Sequence, residues 1–164
     1  MKRIGLLSDT HGFLDPRFFR LFKEVDEIWH AGDIGSETLL CDLESFKTCR
    51  AVYGNIDDWK IRAQVPLHQR FDCDGLKVWM THIGGYPGRY AASIRAQLVH
   101  EPPDLFISGH SHILKVMNDR KLGLLHINPG AAGKIGIHRI RTAIRFSIDN
   151  GQVKDLEVIE LGLR

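Results

Sequence analysis

Five short apolar runs in this chain each close on side chains able to bind a metal ion. Asp9 and His11 follow Ile4 to Leu7, and Asp33 follows Ile28 to Ala31. Asn55 follows Ala51 to Tyr53, His82 follows Val78 to Met80, and His110 with His112 follows Leu105 to Ile107. Helical patterns separate several of these runs, which predicts parallel strands joined by crossover helices. In such sheets the carboxyl ends of the strands form the ligand-binding edge, because turns there bring residues distant in sequence onto one face. Each residue alone has an ordinary role within reach: Asp33 in "AGDIG" could cap a helix, Asn55 could sit in a turn, and His82 could be a satisfied core histidine. Recurrence at five strand ends, with a glycine beside Asp33, Asn55 and His110 to let the backbone approach closely, points instead to one shared metal site.

The rhythm reads as strand 3–8, helix 16–24, strand 26–31, helix 37–46, strand 48–53, helix 90–100 and strand 104–108. Three further stretches, "FDCDGLKVWMTH", "LKVMNDRKLGLLHIN" and "IRFSIDNGQVKDLEVIEL", read as hairpins turning at Asp74-Gly75, at Arg120 to Gly123 and at Asn150-Gly151. A chain with a βαβ half and a hairpin-rich half can form one mixed sheet or two sheets packed face to face, and periodicity allows both. With 164 residues, no repeat and no linker-like tract, one domain over residues 1–164 is expected.

Lysine and arginine total 22 against 20 acids, a net charge of +2 that provides no broad footprint for nucleic acid or an anionic membrane. The apolar run before Ser8 is too short for a signal-peptide core or a membrane span. Cys41, Cys49 and Cys73 are odd in number and lack CxxC spacing, so neither a disulfide framework nor a thiolate zinc site is suggested. A cytoplasmic protein with reduced thiols is expected.

Asp9, His11, Asp33, Asn55, His82, His110 and His112 make seven donors, more than the four to six that one catalytic first-row ion takes. Two ions sharing a carboxylate fit that number. Nitrogen and oxygen donors without sulfur suit Mn²⁺, iron, Ni²⁺, Co²⁺ or Zn²⁺ better than Ca²⁺ or Mg²⁺.

"DTH" at 9–11, "GD" at 32–33, "GN" at 54–55, His82 and "GHSH" at 109–112 together resemble the scattered signature of the calcineurin-like metallophosphoesterases, in order and across most of the chain. With "HAGDI" at 30–34 and "INPGA" at 127–131, the chain is most similar to short bacterial phosphodiesterases of the YfcE type. The resemblance implies a four-layer α/β sandwich, with two mixed β-sheets packed face to face and helices on both outer sides. It implies that Asp9, His11, Asp33 and His112 hold one divalent ion, and that Asp33, Asn55, His82 and His110 hold the other, manganese being favoured. It implies catalysis centred on Asp33, Asn55 and His82, in which an ionised water attacks a small-molecule phosphodiester. Asp57 matches an acidic position that orients neighbours rather than binding metal, and His30, before "AGD", reads as a supporting residue of the same kind.

Two departures stand out. Ile56 takes the place of a histidine that many relatives use on the transition state or leaving group, and isoleucine cannot do either. After His82 the usual HGH becomes His82-Ile83-Gly84, and the following "IGGYPGRY" brings Arg89 as a candidate phosphate contact. His68, His100 and His138 match no motif and read as surface or satisfied-core residues, and His126 reads as structural. The rival function is a non-catalytic scaffold that binds protein partners, as the related retromer subunit Vps29 does. Loss of the bridging carboxylate or of the asparagine would favour it, and both Asp33 and Asn55 are present.

Overall fold

A computed structural model describes residues 1–164. Three parallel strands start the first sheet: β1 (Lys2–Leu7), β2 (Glu27–His30) and β3 (Thr48–Ala51). Helices α1 (Arg17–Leu21) and α2 (Glu37–Phe46) connect them, and α3 (Trp59–Gln64) follows β3. The second sheet takes β4 (His68–Cys73), β5 (Leu76–Thr81), β8 (Leu105–Ile107), β9 (Leu114–Asp119) and β10 (Leu124–Pro129). Between β5 and β8 lie the two-stranded β6 (Gly85–Tyr86) and β7 (Arg89–Tyr90), then α4 (Ala92–His100). The chain ends in the long hairpin β11 (Ile140–Asp149) and β12 (Gln152–Leu163), which returns to the first sheet. The sheet orders are β12-β11-β1-β2-β3 and β4-β5-β8-β10-β9.

Both sheets are therefore mixed. In the second, β5, β8 and β10 are parallel, while β4 and β9 run antiparallel at its edges. Strand alternation sorts the side chains into layers. Ile4 and Leu6 of β1, Trp29 of β2 and Ile144 and Phe146 of β11 meet Val78 and Met80 of β5 and Leu105 and Ile107 of β8, forming the core between the sheets. The opposite faces are closed by helices. Phe18, Phe22, Leu39, Leu40, Leu43 and Ile61 cover the first sheet, and Ile94 and Leu98 of α4 cover Trp79 and Phe106 on the second. This is the four-layer arrangement that the motif resemblance implies.

Local chemistry explains the element boundaries. α2 begins at Ser36, whose hydroxyl accepts the Leu39 N–H (3.4 Å), so Asp33 is free of the capping role. α3, which the apolar pattern does not reveal, is set by Asp58, whose carboxylate accepts the Lys60 and Ile61 N–H groups at 3.1 and 3.2 Å. The expected helix over 16–24 closes early: after the Phe22 N–H bonds to the Phe18 carbonyl, the chain turns toward β2 through a tighter bond from the Val25 N–H to the Phe22 carbonyl (3.2 Å). All three expected hairpins form, turning at the expected residues. No helix is long and apolar enough to cross a membrane.

Candidate metal centre

The carboxyl ends of β1, β2, β5 and β8, with the loop after β3, converge on one edge of the sandwich and deliver all seven expected donors there. Two groups form. Asp9, His11 and His112 place ligand atoms within 4.8 Å of one another, and so do Asp33, His82 and His110. Asp33 joins the groups: its Oδ1 is 3.2 Å from His82 Nε2 and its Oδ2 is 3.6 Å from His11 Nε2. Asn55 enters the second group, with Oδ1 at 3.1 Å from His82 Nε2.

Lone pairs face lone pairs in this arrangement. His82 Nδ1–H donates to the Ala31 carbonyl (2.8 Å), so its Nε2 turns a bare lone pair toward the oxygens of Asp33 and Asn55. Asp9 Oδ2 accepts the Ser8 hydroxyl (2.6 Å) and the His110 N–H (3.1 Å). Its other oxygen is fully buried with no hydrogen bond, although His112 Nε2 lies 3.1 Å away. His11 Nε2 and His112 Nε2 stand 3.4 Å apart. A cation among these atoms relieves the repulsion, so the donor set fits metal ions.

A proton answers the same negative field at some of these rings and not at others. Burial opposes a charge on His82, but the bond to Asp33 and the charges of Asp9 and Asp33 outweigh it and raise its pKa. Contact with Asp9 raises that of His112 against the cost of burial. Burial would raise the Asp33 pKa, but His82, the Ile56 N–H (3.1 Å) and His11 hold it below the usual carboxylate range. For His11, burial dominates and lowers the pKa.

The backbone is strained where the donors sit. Eight non-glycine residues have positive φ, and five of them are expected ligands: Asp9 (54°), His11 (48°), Asp33 (54°), His110 (69°) and His112 (59°). Left-handed backbone in Asp and His is held only where the surroundings over-determine it, and it concentrates at functional sites. The turn between His110 and His112 is what lets one short segment serve both groups. Gly109 is required there, since a side chain would strike Ser8 Oγ and the Ala31 carbonyl.

The supporting residues tie one ligand turn to another. Asp57, 3% exposed, accepts the Ile34 and Gly54 N–H groups through Oδ2 (3.1 and 2.8 Å) and the Gly35 N–H through Oδ1 (2.7 Å). It thus fastens the Asp33 turn to the Asn55 turn. Fully buried His30 accepts the Gly32 N–H through Nδ1 (3.1 Å), so its Nε2–H donates to Thr10 Oγ1 (2.9 Å). This tautomer is neutral, and burial pushes the His30 pKa down to about 4. Arg89 stands apart from the donors, on the wall of an adjoining cavity that it shares with His110.

Sequence motifs alone miss several neighbours. His138 is no isolated surface histidine: its ring lies 5.4 Å from that of His112, and its Nε2–H donates to the Gly133 carbonyl (2.8 Å). Asn128, in "INPGA", donates to the Gly109 carbonyl (2.9 Å) and to Ser111 Oγ (3.1 Å), holding the histidine-bearing loop in place. Its position directly after β10's apolar run was the available signal.

Comparison with known proteins agrees with this geometry. Residues 1–151 match the calcineurin-like phosphoesterase superfamily domain. A probable metallophosphoesterase of Methanothermobacter thermautotrophicus is 30% identical over 135 residues, covering 78% of this chain and 76% of the relative. Among solved structures, an archaeal phosphodiesterase superposes with a TM-score of 0.75 at 21% identity over 97% of this chain and 99% of its own. Vps29 of Chaetomium thermophilum superposes equally well, with a TM-score of 0.75 at 14% identity over 100% of both chains. At those identities the two structures establish the shared fold alone. The matched domain, which spans all the expected donors, shows that this chain belongs to the calcineurin-like phosphoesterase superfamily.

Proposed function

We propose that this phosphoesterase hydrolyses phosphodiesters at a binuclear centre, as one cytoplasmic domain acting on small-molecule substrates. Asp9, His11, Asp33 and His112 would hold one ion, and Asp33, Asn55, His82 and His110 the other. The observation that carries this reading is Asp33, whose two oxygens diverge, one toward each donor group. Manganese is the favoured metal, because the donors are imidazoles, carboxylates and an amide without sulfur. The chemistry such ions would supply is a lowered water pKa and positive charge against the phosphoryl oxygens.

The chain's own residues prepare that step. His82 keeps its free nitrogen inward because Ala31 engages the other. Ser8 and the His110 N–H fix one oxygen of Asp9 and leave the other for binding. Asp57 and His30 hold the ligand turns at fixed separation. Ile56 presents a half-exposed apolar side chain and gives only its N–H, to Asp33, so it supplies no proton to a leaving alcohol. Aryl diesters should therefore react far faster than alkyl diesters, which go without the roughly 10²- to 10⁴-fold help that a general acid gives a poor leaving group.

The Vps29 likeness supports only the shared fold, whereas the complete donor set supports catalysis. Purified protein saturated with manganese should contain two ions per chain and cleave bis(p-nitrophenyl) phosphate. One ion per chain with full activity would overturn the binuclear reading. Two bound ions without hydrolysis of any phosphoester would leave the scaffold reading in its place.

A further inference from the structure

A cavity of about 210 Å³ opens beside the metal centre, with His110 in its wall. Its sides are Tyr86 and Arg89 of the β6–β7 hairpin, Lys115 of β9, and His126 and Asn128 of β10. No carboxylate lines it. Neither Arg89 nor Lys115 forms a salt bridge, although many other basic residues of the chain do, including Arg3, Arg17, Arg50, Arg70 and Arg145. The Lys115 ammonium rests 3.9 Å from the centre of the Tyr86 ring, which positions it at the cavity without neutralising it.

His126 is the second, independent sign of a ligand. It is 1% exposed, and neither ring nitrogen makes a hydrogen bond of good geometry, a marginal contact with the Phe106 backbone aside. A buried polar group left unsatisfied is costly, and one retained on a cavity wall is explained by a partner that enters the cavity. Burial pushes its pKa down to about 4, against a smaller opposing effect of the Phe106 backbone, so near neutral pH it carries one N–H and one free lone pair. The cavity is also built to keep its shape. Ser108 Oγ donates to the Gly85 carbonyl (3.0 Å), the Ala91 N–H to the Gly84 carbonyl (2.9 Å), and the Tyr90 hydroxyl to Asp119 (2.7 Å).

We propose that this cavity binds a second phosphate carried by one ester group of the substrate, held by Arg89 and Lys115 and by the N–H of His126. The assignment rests on the phosphodiesterase reading of the adjoining centre and names its substrate class: diesters bearing a further phosphate. A guanidinium and an ammonium with no acid between them match a dianion. A neutral histidine donor adds direction, and the shared His110 wall makes the cavity continuous with the place of reaction.

Two esters differing only in that group test the proposal: thymidine 5′-(p-nitrophenyl phosphate) and the same compound carrying a 3′-phosphate. In the wild-type protein the 3′-phosphate should raise kcat/KM by roughly tenfold or more, mainly through KM, as expected for charge-assisted hydrogen bonds. In the Arg89→Ala/Lys115→Ala double variant the ratio of the two should fall to about one. Equal rates in the wild type, or a preference that survives the double variant, would overturn the proposal. His126→Phe adds a readout that a purely structural histidine would not move: melting temperature should rise while the preference falls, and a rise with the preference intact would remove His126 from the site. Binding is read separately, by titrating zinc-loaded protein with thymidine 3′,5′-bisphosphate and following the amide resonances of Tyr86, Arg89, Lys115 and His126. If those resonances shift in the wild type and not in the double variant, while neither ester is cleaved, the phosphodiesterase reading fails and the cavity assignment stands. If they do not shift, the cavity assignment fails whatever the activity.

Discussion

The two ends of the sandwich use the same unusual backbone for opposite purposes. At the end away from the metal centre, Asp74 (φ 50°) and Asn150 (φ 48°) each precede a positive-φ glycine, Gly75 and Gly151, in the two-residue turns of hairpins β4–β5 and β11–β12. That is the turn geometry that matches strand twist, and Asp-Gly and Asn-Gly adopt it with little strain. The turns also dock on each other, the Gly151 N–H donating to the Asp74 carbonyl (2.8 Å). At the metal end the left-handed residues are Asp and His, and Asp9 and His112 have no glycine on either side. What holds them comes from far along the chain, such as the Asp9 N–H on the Gly32 carbonyl (3.0 Å) and the His11 N–H on the Asp33 carbonyl (3.0 Å). One end is ordered by its own sequence, and the other by the rest of the molecule.

The largest test of that division is at the metal end. Asp33→Asn removes the charge common to both donor groups, and its kcat should fall by more than the roughly 100-fold that loss of a ligand-orienting partner costs. Asp9→Asn should cost less, because Asp9 lies in one group. Manganese content and bis(p-nitrophenyl) phosphate turnover, measured on both variants, decide this. Equal losses would mean that Asp33 is not shared.

Next in size is Asp57→Asn. The carboxylate accepts three backbone N–H groups from two loops, and an amide can accept through only one of its two atoms. Manganese affinity should weaken by roughly 10- to 100-fold without loss of fold. Calorimetric titration checks it, and unchanged affinity would show that the loops hold their separation without this strap.

These two residues also show what a sequence can reveal. Asp33, His82 and the paired histidines are legible because a strand end fixes their placement, and strand ends follow from apolar runs. The two sheets were not legible from periodicity, since nothing local tells β11 to lie beside β1 instead of beside β10. The resemblance carried by the five motifs supplied that. Sequence presents His138 and His126 as ordinary residues because their importance lies in what stands opposite: His112 for one, the cavity lined by Arg89 and Lys115 for the other. The β6–β7 hairpin in "IGGYPGRY" is two residues per strand, below the length at which alternation can be detected.

Acid sensitivity should distinguish the regions as well. Burial depresses the pKa of His30 and of His126 to about 4, against a reference value of 6.5. Each is neutral when folded and takes a proton when unfolded below that reference. Their contribution to stability is full above pH 6.5 and is lost as pH falls through 4. At pH 5 the loss is about 2 kcal/mol for each. Urea titrations of metal-free protein at pH 7 and pH 5 should show it, and His126→Leu should remove its own share. An identical pH dependence in that variant would mean that His126 is already charged in the folded protein.

The smallest expected effect belongs to the turn end. Asn150→Ala leaves a residue without a hydrogen-bonding side chain in left-handed backbone, and the loss is at most the about 1–2 kcal/mol that this conformation costs an ordinary L-residue. For a chain of this size each kcal/mol lowers the melting temperature by roughly 2–4 °C. Gly151 retains its freedom, so the hairpin register should survive and the β11 pairing with β1 should persist. Asn150 touches none of the donors: its contacts are Asp74 and Asp149. Manganese affinity and turnover should therefore equal those of the parent while the melting temperature falls. Should turnover fall along with it, the docked turns would be setting the position of the strand ends about which the ligands are arranged, and order at the metal end would depend on the hairpins at the other.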